Sequence, residues 1–180
     1  MTTRPVPAVA VVTPVVRIGQ GFDVHPFAED LDRPLLLGGV RFDDGPPLAG
    51  HSDGDVVAHA VTDALLGAAG LGDIGQHFPD TDAAWAGADS IELLQRAVAH
   101  VRSAGWMPQN VDCTVVLETP RLAPRRAAME GRLSDAVGAP VTVKGKRAEG
   151  LGALGRSEGV ACFAVALVAR PDDPAAAKER

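Results

Sequence analysis

An aspartate and a histidine two positions apart, Asp23 and His25, are the first candidate metal ligands along the chain. They end a segment of β-branched residues and glycines that is typical of a strand. Alternate residues of a strand point to the same face, so this carboxylate and this imidazole can converge on one ion. The alternative is a hydrogen-bonded Asp–His pair without a metal.

A second polar group is Gly50-His51-Ser52-Asp53-Gly54-Asp55, which is followed by His59 in the first turns of a predicted helix. Asp55 and His59, and likewise His59 and Asp63, are i,i+4 neighbours on that helix. A metal-binding imidazole usually donates its other N–H to a carboxylate, and either acid could accept it. In the alternative, Asp53 and Asp55 are only N-terminal caps and His59 is a surface residue.

Together, Asp23, His25 and His59 offer one carboxylate and two imidazoles. This set suits tetrahedral Zn²⁺ with an open fourth position, which is the pattern of catalytic zinc sites. It is also the ligand set of non-haem iron oxygenases. The spacing therefore predicts a metal centre and leaves the identity of the metal open.

A third group is the acidic, turn-rich segment of residues 72–82, which lies between two predicted helices. A plain connector needs fewer residues, and loops of this kind often carry ligand contacts, although a solvated linker is the alternative. Residues 150–155 fit the dinucleotide pattern G-x-G-x-x-G, but a strand rather than a helix follows them. We therefore do not expect a dinucleotide-binding fold.

Strands and helices alternate between these groups, which predicts a layered α+β domain with a mixed sheet and helices packed on one face. Predicted strands cover residues 15–18, 22–25, 35–42 (with a bulge at Gly38–Gly39), 110–118, 141–144 and 159–169. Predicted helices cover residues 56–69, 89–104 (with Asp89 or Ser90 as the cap) and 124–137.

Composition narrows the class of protein. The chain has 180 residues, of which 46% are hydrophobic and 22% charged, so we expect one folded domain rather than a disordered chain. Its longest apolar run, residues 160–169, is about half of what a membrane helix needs. The net charge of −6 is opposite to that of a general nucleic-acid binder. We expect no membrane and no nucleic-acid partner.

The two cysteines and the ends of the chain suggest a location and domain bounds. Cys113 and Cys162 lie far apart in apolar segments, so we expect buried thiols and a cytoplasmic protein rather than a disulfide framework. The prolines of residues 1–16 do not fit a signal peptide, and this stretch is predicted to be a flexible extension. Residues 171–180 are predicted to be a flexible tail, which leaves residues 17–170 as the domain.

Several motifs, in this order, resemble those of the 2-C-methyl-D-erythritol 2,4-cyclodiphosphate synthase family. They are RIGQGFDVH (17–25), LLGGV (36–40), HSDGD through the following histidine (51–59), TDALLGAA (62–69), GDIG (72–75) and FPDTD (78–82). The resemblance runs from about Arg17 to Ala169. It implies an α+β sheet with helices on one face, and a homotrimer with each active site between neighbouring subunits.

The resemblance also implies a reaction. The family converts 4-diphosphocytidyl-2-C-methyl-D-erythritol 2-phosphate to 2-C-methyl-D-erythritol 2,4-cyclodiphosphate and CMP, in the non-mevalonate route to isoprenoids. The 2-phosphate attacks the β-phosphorus, so two anionic groups must approach each other and charge neutralisation dominates the barrier. A metal-dependent phosphoesterase and a non-catalytic nucleotide-binding protein with a structural metal are the alternatives.

Matching the family's motifs assigns roles to individual residues. Asp23, His25 and His59 would bind Zn²⁺ or another divalent ion, and Glu149 would bind a second ion, Mg²⁺ or Mn²⁺, that bridges the α- and β-phosphates. His51 would help to stabilise the transition state. The implied substrate contacts are Asp23, His25, His51, Ser52, Asp73, Ile74, Gly75, Phe78, Pro79, Asp80, Thr81, Asp82, Thr119, Pro120, Arg121, Leu122, Ala123, Lys146, Arg147, Glu149 and Arg156.

The segment before Glu149 departs from the family. The family commonly carries a run of threonines that touches the diphosphate, whereas this chain has Lys146-Arg147-Ala148. Both basic side chains could face solvent. Alternatively, the Arg147 guanidinium donates to phosphate oxygens and takes part in catalysis.

Overall fold

A four-stranded mixed sheet carries helices on one face in the computed structural model, which describes residues 14–29 and 32–170. The strands are β1 (Val15–Pro26), β2 (Leu35–Leu37), β3 (Val40–Phe42), β4 (Met107–Val116), β5 (Val141–Lys146) and β6 (Gly159–Arg170). The helices are α1 (Val56–Ala69), α2 (Ile74–His77), α3 (Ser90–Ser103), α4 (Arg126–Val137) and α5 (Gly152–Gly155), with a 3₁₀ turn at Ala83–Trp85.

The main sheet has the order β1-β6-β4-β5, in which only β4 and β5 run parallel. β2 and β3 form a separate hairpin. The layered α+β architecture is as predicted. Of the predicted terminal segments, residues 1–13 and 171–180 lie outside the described residues, and β1 already begins at Val15.

β1 is one continuous strand, so the predicted interruption of the first strand at Gly19 and Gly21 is wrong. All twelve residues of β1 pair with β6. A Cβ atom at Gly19 would lie 2.1 Å from the carbonyl oxygen of Ala64, and one at Gly21 would lie 2.0 Å from that of Ala60. These glycines therefore do not interrupt the strand but allow α1 to lie directly on it.

α1 covers the predicted residues because its end signals are local. The Asp55 side chain accepts hydrogen bonds from the Val57 and Ala58 N–H groups, and Gly70 ends the helix in a left-handed conformation. Asp55 also accepts from the N–H groups of Gly38 and Gly39, at 2.8 and 2.6 Å. This buried carboxylate thus ties the β2–β3 hairpin to the start of α1.

Gly38 and Gly39 form the turn of that hairpin, so the prediction of one bulged strand over residues 35–42 is wrong. Their φ angles of 61° and 70° are both positive. Two consecutive left-handed residues reverse the chain in a two-residue hairpin turn, whereas a bulge keeps it running forward.

In the described part of the chain, the helices cover one face of the sheet and leave the other uncovered. The opposite face exposes apolar side chains of β1 and β6, of which Ile18 is the most accessible at 72%. Phe22 and Phe163 contact each other there, with ring centroids 4.8 Å apart. On the covered side, Cys113 and Cys162 are buried free thiols, as predicted. Among the described residues, no helix is both long and apolar enough to cross a membrane.

Candidate metal centre and active site

Three potential metal ligands converge at the contact between β1 and α1. Asp23 Oδ2 lies 2.9 Å from His25 Nε2 and 3.0 Å from His59 Nδ1. The two imidazole nitrogens are 3.2 Å apart. Ligand atoms bonded to one ion at about 2.1 Å are separated by about 3 Å, so the three atoms fit a single divalent ion.

The fold produces this convergence in two steps. Asp23 and His25 alternate along β1 on the face that carries α1, as the strand period requires. His59 lies in the first turn of α1, and Gly21 lets that turn approach β1 closely. Within the described residues, these three are the only group of three or more His, Cys, Asp or Glu side chains with the spacing of a metal site.

The hydrogen bonds around the two imidazoles fix where their protons are. His25 Nδ1 donates to the Ala49 carbonyl oxygen, which can only accept. Ser90 donates its hydroxyl proton to the Asp53 carboxylate, and its oxygen, 2.8 Å from His59 Nε2, accepts the imidazole N–H. The lone pairs of His25 Nε2 and His59 Nδ1 therefore point at Asp23 and at each other.

Three lone pairs at about 3 Å repel one another unless a cation lies among them. This donor set of one carboxylate and two neutral imidazoles therefore fits a divalent metal such as Zn²⁺. Without an ion, a proton serves the same purpose. Burial alone would raise the pKa of Asp23, but hydrogen bonds and charge from His25 and His59 outweigh burial and hold it well below its ordinary range. Burial lowers the pKa of His25, but the contact with Asp23 outweighs it and raises that pKa above 6.5.

Neither acid predicted to orient His59 does so. Asp55 is engaged with the hairpin turn and the helix cap, and Asp63 accepts from the Ile74 N–H at 2.7 Å. The positions are instead taken by two hydroxyls, Ser52 at 3.0 Å and Ser90 at 2.8 Å from Nε2. No sequence pattern indicates this role of Ser90, because a serine at the start of a helix is indistinguishable from a cap.

A cavity of about 460 Å³ opens beside the three ligands. Its lining comprises Asp23, His25, Gly50, His51, Ser52, His59, Asp63, Ile74, Gly75, Phe78, Asp80, Trp85 and Leu93. The predicted loop thus forms one wall. Trp85 is a wall residue that no sequence motif indicated, and its ring packs edge-on against that of Phe78, with the centroids 5.1 Å apart.

The remaining predicted loop residues lie around this cavity without lining it. Asp73 and Asp82 use their carboxylates as caps, accepting from the Gln76 and Ala84 N–H groups at 2.9 Å. The Asp82 carbonyl accepts from His51 Nε2 at 3.1 Å. Pro79 and Thr81 belong to the same turn before the 3₁₀ segment.

A second cavity, of about 390 Å³, brings together the predicted nucleotide segment and the departing basic residues. It is lined by Leu117, Glu118, Pro120, Arg121, Leu122, Ala123, Arg126, Gly145, Lys146 and Arg147. The Glu118 Oε1 atom is buried and has no hydrogen-bond partner among the described residues. The two cavities share no lining residue.

Besides Asp73, Pro79, Thr81 and Asp82, three further predicted substrate contacts line neither cavity. Thr119 is exposed beside the second cavity. Glu149 is an exposed residue with a left-handed φ of 53°. Arg156 is also exposed, and its Nε donates to Glu158 at 2.6 Å. Within one chain, therefore, the structure does not bring Glu149 or Arg156 to the three metal ligands.

Known proteins are similar to this chain in both sequence and fold. The profile of the YgbB family covers residues 16–169. The 2-C-methyl-D-erythritol 2,4-cyclodiphosphate synthase of Bordetella petrii is 55% identical over 157 residues, which cover 86% of this chain and 96% of that protein. The solved bifunctional IspDF from Campylobacter jejuni has a TM-score of 0.83 at 42% identity, covering 89% of this chain and 44% of that one. A CDP complex of IspF from Plasmodium falciparum has a TM-score of 0.74 at 32% identity, covering 88% and 97%.

Proposed function

Because the chain belongs to the YgbB family, we propose that its active site converts 4-diphosphocytidyl-2-C-methyl-D-erythritol 2-phosphate to 2-C-methyl-D-erythritol 2,4-cyclodiphosphate and CMP. The observation that carries this proposal is the convergence of three metal-ligand lone pairs, from Asp23, His25 and His59, beside a cavity of about 460 Å³. The named relatives supply the substrate class. The Bordetella petrii protein, which this chain matches over 96% of its length, is named 2-C-methyl-D-erythritol 2,4-cyclodiphosphate synthase.

The reaction forms one bond and breaks one. An oxygen of the 2-phosphate bonds to the β-phosphorus, and the bond from that phosphorus to the bridging oxygen breaks, so that CMP leaves with the electron pair. No water is consumed. Both reacting phosphates are anionic, and the chain itself carries a net charge of −6. Cations must therefore be supplied locally.

The residues of the first cavity meet these requirements at one end of the substrate. Asp23, His25 and His59 would hold Zn²⁺ or a similar ion, which when bound polarises the β-phosphate oxygens. His51 and Ser52 line the same cavity and would bind the 2-phosphate, with His51 stabilising charge in the transition state. The wall formed by residues 74–80 would hold the erythritol end and exclude water.

The second cavity would take the nucleotide. Arg121, Lys146 and Arg147 surround it with positive charge. Arg147 would donate to the phosphate of the departing CMP. Glu149, two residues further on, would hold Mg²⁺ or Mn²⁺ against the phosphates once the substrate is bound.

The complete active site would lie between subunits of a homotrimer. Two observations support this assembly. The metal cavity and the basic cavity share no lining residue within one chain, and the outer face of β1 and β6 exposes apolar side chains such as Ile18 and Phe163. Light scattering should then give three times the chain mass of 18.6 kDa, and a fully active monomer would contradict the shared site. The free buried thiols support a cytoplasmic location.

Phosphorus NMR and mass spectrometry of the products test the reaction directly. The intact protein should release CMP and a cyclic diphosphate whose mass equals that of the substrate minus CMP. His59→Ala should abolish this turnover, whereas Gly67→Ala, whose added Cβ meets no atom within 4 Å on the same helix, should not. A product heavier by one water would identify a phosphoesterase and overturn the proposal.

A further inference from the structure

A second pair of imidazoles lies outside both cavities, where α2 contacts α3. His77, the last residue of α2, and His100, in the last turn of α3, place their Nδ1 atoms 3.1 Å apart. Their ring centroids are 5.1 Å apart and the rings are tilted by 47°. His77 is half-buried and His100 is exposed, so solvent reaches the pair from one side.

A contact with a backbone carbonyl determines which nitrogen of His77 carries the proton. Its Nε2 lies 2.9 Å from the Leu71 carbonyl oxygen, which can only accept, so Nε2 carries the proton. The Nδ1 lone pair of His77 therefore points at His100. In the metal-free pair, the Nδ1–H of His100 donates a hydrogen bond to this lone pair. If that proton moves to Nε2 of His100, the Nδ1 lone pairs of both histidines are free to bind one ion. Metal-bound histidines are typically held in this way, with the second nitrogen on a carbonyl or carboxylate.

The separation of the two nitrogens suits a common metal ligand geometry. With metal–nitrogen bonds of about 2.05 Å, two nitrogens 3.1 Å apart subtend an angle of about 98° at the ion. This angle lies between those of octahedral and tetrahedral coordination. Zn²⁺, Ni²⁺ and Cu²⁺ are the divalent ions that imidazole ligands suit. We propose that His77 and His100 form a second metal site, which binds one such transition-metal ion with water as the remaining ligands.

An ion at this site would restrict the movement of one wall of the active-site cavity. α2 contributes Ile74 and Gly75 to that wall, and His77 is followed directly by Phe78, which packs on Trp85. Apart from the imidazole pair, the start of α2 is held by the bond from the Ile74 N–H to Asp63. Linking the end of α2 to α3 would therefore restrict the opening of the segment of residues 72–78.

Counting bound ions in the untagged, full-length chain tests the site. Equilibrium dialysis against rising free Zn²⁺ should show two steps, each of one ion per chain. His77→Ala and His100→Ala should each abolish only the weaker step, and His59→Ala should weaken only the tighter one. Gln95→Ala, another exposed change on α3, should leave both steps unchanged. The proposal is overturned if both steps persist in His100→Ala, or if the intact chain binds a single ion.

Amide hydrogen exchange provides a readout that ion counting does not. With the tighter site already filled and free Zn²⁺ at ten times the dissociation constant of the weaker step, opening of residues 72–78 should slow about elevenfold if only the closed segment binds. His100→Ala should show no such slowing. Equal slowing in the intact chain and in His100→Ala would mean that the ion acts elsewhere, and would overturn the proposed link between α2 and α3.

Discussion

Replacing Gly21 by alanine should disrupt the metal centre without touching a ligand. The new Cβ atom would lie 2.0 Å from the carbonyl oxygen of Ala60, whereas ordinary contacts begin near 3.4 Å. Both Ala60 O and the next nearest atom, Ala64 N at 2.7 Å, belong to the backbone of a buried helix and cannot rotate away. α1 must therefore retreat from β1 by about 1.4 Å at this point, which follows directly from those two distances.

The retreat acts on the metal ligands because they lie on the two elements that separate. Asp23 is the next residue of β1 with its side chain on the same face, and His59 is adjacent to Ala60 in α1. Metal–ligand distances tolerate only about 0.2 Å. Even a quarter of the displacement at His59, about 0.35 Å, exceeds that tolerance. We expect Zn²⁺ affinity to fall by about 100-fold or more, the upper end of what losing a ligand's support costs.

The measurement pairs metal affinity with stability. Competition with a chromophoric chelator gives the affinity, and urea unfolding gives the free energy of unfolding, which should fall by about 3 kcal/mol for overpacking against rigid backbone. Gly67→Ala is the matched control, because nothing lies within 4 Å of its Cβ position in α1. It should leave metal affinity unchanged and stabilise the helix by up to about 1 kcal/mol. Native metal affinity in Gly21→Ala would refute the argument that close packing of α1 on β1 positions the ligands.

Ser90→Ala should weaken Zn²⁺ binding about 10-fold, since it removes the nearer of the two hydroxyl oxygens that face His59 Nε2–H. Ser90→Thr should restore the affinity, and a native affinity in Ser90→Ala would contradict the assigned proton positions. In chelator, the stability from the raised pKa of His25 is complete below its ordinary 6.5 and is lost as the pH rises through the raised value. The stability from the lowered pKa of Asp23 is present above its ordinary 3.8 and is lost as the pH falls through the lowered value, so thermal melts should peak between about pH 4 and 6.5. Arg147→Thr, which removes the guanidinium, should lower kcat and kcat/KM by the same factor, equivalent to a loss of about 1 to 3 kcal/mol of transition-state stabilisation. Unchanged kinetics at low and at physiological salt would favour the solvent-facing alternative.

Local sequence signals were sufficient for the individual elements near the site. The bounds of α1 follow from the cap at Asp55 and the glycine at position 70, both of which act within one helical turn of the ends. The common face of Asp23 and His25 follows from the two-residue period of a strand. The ligand types, together with the ordered motifs, were enough to predict the metal site and the family.

Local signals were misleading where a glycine is required by a contact with a distant part of the chain. Gly19 and Gly21 look like strand breakers in sequence, but their missing Cβ atoms are required by the backbone of α1. Gly38 and Gly39 look like a bulge, but the hairpin turn they form is fixed by hydrogen bonds to Asp55, which lies 17 and 16 residues away in the chain.

The side chains that can bind a metal are identifiable from the sequence, because residue type and short-range period are properties of a few consecutive positions. The groups that surround those side chains follow from the tertiary packing. Ser90 reaches His59 across 31 residues, and His100 reaches His77 across 23. The packing of whole helices on the sheet sets these contacts and also divides the site into two cavities. Close packing depends on the shapes of all the elements at once.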